Sequence, residues 1–552
     1  MANRRLLNVL GLMVVLLAIM PALTTSSAGW WTQPTNLSDW QLYMFPPWLR
    51  IGQDGTQVAC WRTTHPTNPG LAALLTRVRP PGGRWSAIED VTGWTEWSNP
   101  ENWELAVAPE GTVWMVWTLT DPVPSTQMKV KAARRLPDGT WQSEDLSSWV
   151  DGVQSLDLSI SPNGDLTAVW VACDSGVGPC AVNARRRPVG ATAWESTQQL
   201  NGLFGQDEVQ SVYALAGPDG LTVVVWDEED PGNTSQWGVM ANTYTSSTGT
   251  WDVQQTQVSG FVQPRTVGYP LYWLAQPVMD PAGTVTTAWT ARYGPDPNKD
   301  AQYSAIRAAS SGSWSAPAQI SAANNAYSFD LPRLAVGQNG AVAAAWGWRN
   351  PGIQWAIYAN ARDPGGTWVG ETAVSTQFVN SVSVEDVAVW PDGTAAVMWE
   401  EEDTARPANA DEGVFWSARP PSGNWGDGGG GQLGIWYDEV NGAALELSSD
   451  GSGTALWAMT DATQAADQQG AVLAAIWPPG GPWDAPTTLV DGYKGTGLWH
   501  QGLAARPGGR QVEATWRVER VVVAAPVTTP WAVFYSERST DVHLPTVMRR
   551  SP

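Results

Sequence analysis

The chain has 552 residues, 31 of them basic and 53 acidic, for a formal net charge of −22. That acid excess excludes nucleic acid and anionic lipid as partners, because both are bound through clustered Lys and Arg. There are 36 Trp but only three Cys and three scattered His, so no His-rich metal motif can be built, and no Ser-His-Asp set or phosphate loop is present.

Residues 1–28 read as an export signal. Arg4 and Arg5 precede an apolar stretch from Leu6 to Met20, and small residues then lead to Ser26-Ser27-Ala28, a cleavage site before Gly29. The stretch falls short of the roughly 20 residues of a membrane span; a retained anchor is the alternative to cleavage. No later segment is long and apolar enough to cross a bilayer as a helix. Residues 29–552 are therefore expected to be soluble and secreted, extracellular or at the cell surface.

"WWTQPTNLS" (30–38) follows, a strand-like run with no partner run before it. From there the chain repeats. A turn glycine is followed six residues later by Trp at Gly55/Trp61, Gly111/Trp117, Gly164/Trp170, Gly220/Trp226, Gly283/Trp289, Gly340/Trp346, Gly393/Trp399 and Gly451/Trp457. A ninth copy ends at Trp516, with one extra residue after Gly509. Each copy has an apolar alternating run, a tight turn such as Pro-Asp-Gly, a second apolar run ending in Trp, a variable loop and a third run. A Gly-rich turn then leads through another Trp into a fourth run. Four short strands per repeat make an antiparallel sheet with two apolar faces, and neither face is buried by one sheet alone. Radial packing of the sheets buries both. The predicted fold is all-β, a β-propeller of about nine four-stranded blades spanning 29–552, in which the N-terminal strand completes the last blade. Two smaller rings are the alternative. The paired Trp of each repeat are read as core, and Trp48, Trp94, Trp97, Trp103, Trp348, Trp436 and Trp499 as exposed.

Within the third repeat, Cys173 and Cys180 bracket a turn-like insert and can cross-link a hairpin after export; Cys60 reads as a buried free thiol. The fourth and seventh repeats carry acidic runs, Asp227–Asp230 and Glu400–Asp403, placed in second-to-third loops. Clustered oxygens suit Ca²⁺, though the alternating spacing of a calcium loop is missing, and a solvated acidic rim is the other reading. No other cofactor is implied.

"ARDPGGTW" (361–368) resembles the Asp-box of sialidases, with Asp363, Gly365, Thr367 and Trp368 matching and Ala361 in place of serine. The resemblance implies a bacterial-neuraminidase-repeat propeller in which the box is structural and Asp363 ties down its own turn. It also implies an early Arg-Ile-Pro motif, an arginine triad, a Tyr–Glu pair and an Asp acid/base. Here Arg50-Ile51-Gly52 lacks the proline, that family has six blades, and no catalytic residue is carried over.

Candidate binding residues come from position −7 relative to each repeat glycine, at the start of each innermost strand. There stand Trp48, Glu104, Asp157, Tyr213, Gln276, Arg333, Asp386, Ala444 and Gly502, whereas positions −6 and −4 are mostly apolar. Six polar residues of nine mark a channel mouth: Glu104, Asp157, Tyr213, Gln276, Arg333 and Asp386. Three readings follow: noncatalytic binding of a glycan or cell-surface polymer, glycoside hydrolysis by carboxylates near Tyr213, or a wetted mouth in a structural or adhesive protein.

Overall fold

The computed structural model describes residues 30–539 apart from 40–43, 46, 66, 69–70, 97–101, 122–126, 175–178, 203–207, 231, 261–272, 293–299, 323–327, 330, 350–353, 376–380, 409, 449–450, 462, 465–468, 479–480, 494–498, 506–510 and 520–530. Residues 1–28, read above as an export signal, lie outside the described residues.

Nine antiparallel sheets form the molecule. They are blades 1 to 9, with strands A to D from the inside outward. Strand A of successive blades is Trp48–Ile51, Trp103–Val107, Gly152–Ile160, Val212–Ala216, then Trp273–Leu274 with Val278–Met279, then Ser328–Phe329 with Arg333–Val336, and finally Ser381–Val389, Glu439–Leu447 and Trp499–Ala505. Each strand A touches the next, and blade 9 touches blade 1, so there is one closed ring of nine. Closure comes from the chain's own start: Trp30–Trp31 and Thr35–Asn36 pair with Trp531–Ser539, the third strand of blade 9.

The repeat glycines explain the tight turns. All eight from Gly55 to Gly451 have φ between 70° and 95°, a region that costs side-chain-bearing residues energy but not glycine. Six residues on, the repeat Trp is buried in every described copy: Trp61, Trp117, Trp170, Trp226, Trp289, Trp346, Trp399 and Trp457 are all at most 3% exposed. Among the described residues no central core forms. Instead nine apolar clusters lie one to each seam between blades, from Val58 and Cys60 against Trp103 and Met115, around to Tyr535 against Trp61 and Leu75. Cys60 is a free, buried thiol. Cys173 and Cys180 sit directly opposite one another on strands B and C of blade 3, joined as a disulfide.

Two expectations about the outer strand need correcting. In most blades strand D pairs over only two residues at a time, such as Gln198–Gln199 and Thr372–Ala373. A short edge offers few unpaired backbone groups to another chain. Its Trp is accordingly less enclosed than a core residue. Trp194 and Trp425 are buried, while Trp85, Trp141, Trp251, Trp314, Trp368 and Trp483 are half-buried.

Candidate functional site

The −7 residues occupy one equivalent register. Glu104 pairs with Val116, Asp157 with Val169, Tyr213 with Val225, Arg333 with Ala345 and Asp386 with Met398, each partner five residues past its repeat glycine. Because neighbouring A strands touch, these side chains ring the axis. Gln276 lies between the two halves of its strand and, like Arg333, is exposed.

The ring resolves into two arcs. In blades 1 to 4, Arg50, Glu104, Asp157 and Tyr213 lie close enough to act electrostatically on one another. Burial pushes the Glu104 carboxyl up to about 8, with Asp157 adding to the rise and Arg50 opposing it. Burial raises Asp157 to about 6 and Tyr213 to about 12, the latter helped by Asp227 and Asp157. At neutral pH Glu104 and Tyr213 are therefore mainly protonated hydrogen-bond donors, beside the permanently charged Arg50. In blades 6 and 7, Arg333 faces Asp386, which burial lifts to about 6.

The two aspartates are engaged structurally. Asp157 accepts the Leu158 N–H of its own strand and the Ala214 N–H of blade 4, each at 2.7 Å. Asp386 accepts Val387 N–H and, from blade 8, Leu445 N–H, both at 2.8 Å. Each carboxylate clamps one seam with both oxygens. Glu104 is not so engaged across a seam; beside it Trp48 packs on Trp103, centroids 4.5 Å apart, with the exposed Arg50 guanidinium 5.0 Å from the Trp48 ring.

The acidic runs are not in loops. They lie on strand B, Thr222–Asp230 in blade 4 and Ala395–Glu402 in blade 7, with Asp403 alone past the strand end. Residues two apart on a strand share a face, so the second acid lies beside the repeat Trp. The Trp226 indole N–H donates to Glu228 at 2.8 Å, and Trp399 donates to Glu401 at 2.7 Å. Both glutamates are at most 3% exposed. Asp227, Glu228 and Glu401 are therefore not part of a solvated rim, while Glu229, Asp230, Glu402 and Asp403 are half-buried. Asp227 accepts the Ser211 and Gln210 N–H groups and is pushed to about 7 by burial. Glu400 meets Glu385 and Glu412 and is driven to about 9, mainly by burial. Among the described residues no group of three or more His, Cys, Asp or Glu is disposed to hold a metal ion.

Asp363 also reaches further than its own turn. Its oxygens take both terminal nitrogens of Arg419 in blade 7, at 2.9 and 3.2 Å, and this pairing holds its carboxyl below the usual range. Gly365 turns with φ of 67°, Trp368 bridges back to Arg362, and Thr367 is exposed. Arg419 belongs to a pattern the repeat reading missed, an arginine near the end of strand C that reaches the preceding blade. Arg135 pairs with Glu89, Arg187 with Glu144, Arg362 with Thr286, Arg538 with Thr454, and Arg79 with Tyr535 and Glu537. The signal was in "KAARR", "NARRR", "ANAR" and "WSAR".

The off-pattern tryptophans are not exposed platforms. Trp48, Trp94, Trp348 and Trp436 are half-buried and Trp103 is buried; Trp436 is held between Phe415 and Arg406. Trp97 and the side chain of Trp499 lie outside the described residues.

The chain matches no known family model and no curated protein. Solved structures similar to it include the polysaccharide lyase Uly1, 10% identical, covering 82% of this chain and 92% of the lyase at a TM-score of 0.39. The Hadza microbial sialidase Hz136 is 10% identical over 91% of this chain and 94% of its own, at 0.33. An α-L-arabinanase of Penicillium chrysogenum is 12% identical over 69% and 92%, at 0.30. These are distant likenesses of fold, and no residue role is taken from them.

Proposed function

We propose that this protein is an exported, noncatalytic recognition propeller that binds a glycan or cell-surface polymer at its channel mouth and long-loop face. The observation that carries the reading is the blade 1–2 mouth. There the exposed Arg50 guanidinium lies 5.0 Å from the half-buried Trp48 ring and acts on a Glu104 carboxyl raised to about 8. Binding sites characteristically join aromatic surface to a few placed polar groups, and Arg50, Glu104 and Tyr213 supply donors for sugar hydroxyls or carboxylates. Glycan-array binding followed by titration calorimetry tests this. Arg50→Ala and Glu104→Ala should each weaken binding at least about tenfold, the loss of one good hydrogen bond. A protein that binds no glycan, or that binds equally well with both changes, sinks the proposal.

A second reading is favoured by one feature. Glu104 and Asp157 are neighbouring carboxyls driven to about 8 and about 6, a separation that glycosidase acid and base pairs also use. Against it, both Asp157 oxygens are already engaged with backbone N–H groups. Turnover of a fluorogenic glycoside panel, abolished by Glu104→Gln, would establish hydrolysis instead.

A further inference from the structure

Between the outer parts of blades 3 and 4, away from the channel, lies a cavity of about 440 Å³. That is within the roughly 300–1,000 Å³ of small-molecule sites. Its polar lining is amide-rich, with Gln199, Asn201, Gln255 and Gln257 beside two acids, Asp252 and Glu228, the latter 1% exposed. Leu200, Met240 and the fully exposed Val253 supply apolar wall.

The walls are fixed by hydrogen bonds, one of them across the seam. Gln255 accepts the Gly202 N–H at 3.0 Å, Asn201 donates to Cys180 O at 3.0 Å and accepts Val182 N–H at 2.9 Å, and Glu228 is oriented by the Trp226 indole. A pocket held this way is pre-formed, so a ligand spends little of its affinity on ordering it.

The lining chemistry selects a class. Among the described residues no Lys or Arg lines the cavity, so phosphate, sulfate and carboxylate ligands would meet carboxylates and amide oxygens without a counter-charge. Amide oxygens and a carboxylate accept from hydroxyls, and amide NH₂ groups donate to them. The Met240 and Val253 wall suits the C–H face of a ring. We infer that this seam pocket is a second binding site, for a neutral polyhydroxylated ligand of one or two sugar rings. It shares only its ligand class with the channel-mouth proposal and uses none of the same residues.

The test is saturation-transfer NMR and calorimetry on the mature chain with glucose, galactose, mannose, N-acetylglucosamine, lactose and cellobiose, and with ethanolamine as a cationic probe. Gln257 is exposed on a short edge strand, so Gln257→Trp fills the cavity without disturbing the core. Glu228→Gln keeps an acceptor for Trp226 while removing the charge. At least one sugar should bind, with affinity lost in Gln257→Trp, reduced tenfold or more in Glu228→Gln and unchanged in Val369→Ala, an exposed residue of blade 6 outside both proposed sites. The assignment is overturned if no sugar binds, if Gln257→Trp binds like the unaltered protein, or if only ethanolamine binds. Sugar binding that is lost in Glu104→Ala but kept in Gln257→Trp would overturn the seam site and leave the channel mouth standing.

Discussion

Glu401 offers the sharpest test of how the trailing acids work. Its carboxylate takes the Trp399 indole N–H at 2.7 Å, and both side chains are 3% exposed. A hydrogen bond to a charged group contributes about 1.5–3 kcal/mol, and deleting the acceptor strands a buried donor. Glu401→Ala should therefore cost about 3 kcal/mol, the bond plus the packing lost with the side chain. Glu401→Gln, which keeps an oxygen toward the indole, should cost under about 1 kcal/mol. With Trp399→Phe, a double-mutant cycle isolates the bond, and a coupling of about 1.5–3 kcal/mol is expected from urea unfolding followed by far-UV circular dichroism. The pH dependence has a definite sign. Burial raises the Glu401 carboxyl, so the folded chain holds its proton more tightly than the unfolded chain does. This stabilising contribution is complete below the unfolded pKa and is lost as pH climbs through the folded one. Glu401→Gln should therefore flatten the decline in stability as pH rises above the unfolded carboxyl value. A coupling inside the roughly 0.5 kcal/mol scatter of independent sites would refute the Trp–Glu account.

Asp386→Ala should cost about 2–4 kcal/mol in the same unfolding assay, by stranding the Val387 and Leu445 N–H groups. Hydrogen exchange should quicken at Leu445 and stay unchanged at Ala214, which Asp157 holds. Glu400 is raised to about 9 by burial and by Glu385 and Glu412, so folding stability should fall between about pH 4.5 and 9. The slope should reach at most about 1.4 kcal/mol per pH unit. Glu400→Gln should reduce that slope, read from urea midpoints across the range.

The ring was legible because its two requirements are local. A turn with positive φ demands glycine, and a seam between twisted sheets favours one large flat side chain at a fixed strand position, so Gly393 and Trp399 recur together. The closure was legible too, since residues 30–38 form a strand with no predecessor. What escaped were contacts made across a repeat length. Nothing near Asp157 reveals that a backbone N–H 57 residues on will stop 2.7 Å from it. Nothing near Asp363 points to Arg419, 56 residues ahead. The trailing glutamates were misplaced for a different reason. Charge was taken as a loop marker, when the two-residue spacing of Trp399 and Glu401 already placed them on one face of one strand.

The pairing of Trp30 with Ser539 and of Thr35 with Tyr535 has a mechanical corollary. The strands are antiparallel, so segments before residue 30 and after residue 539 depart from the same corner of the disc. Tension applied through both would load these hydrogen bonds one after another, peeling them apart rather than shearing them together. Blade 9 is thus the point at which a pull on the two tethers would first uncouple the ring.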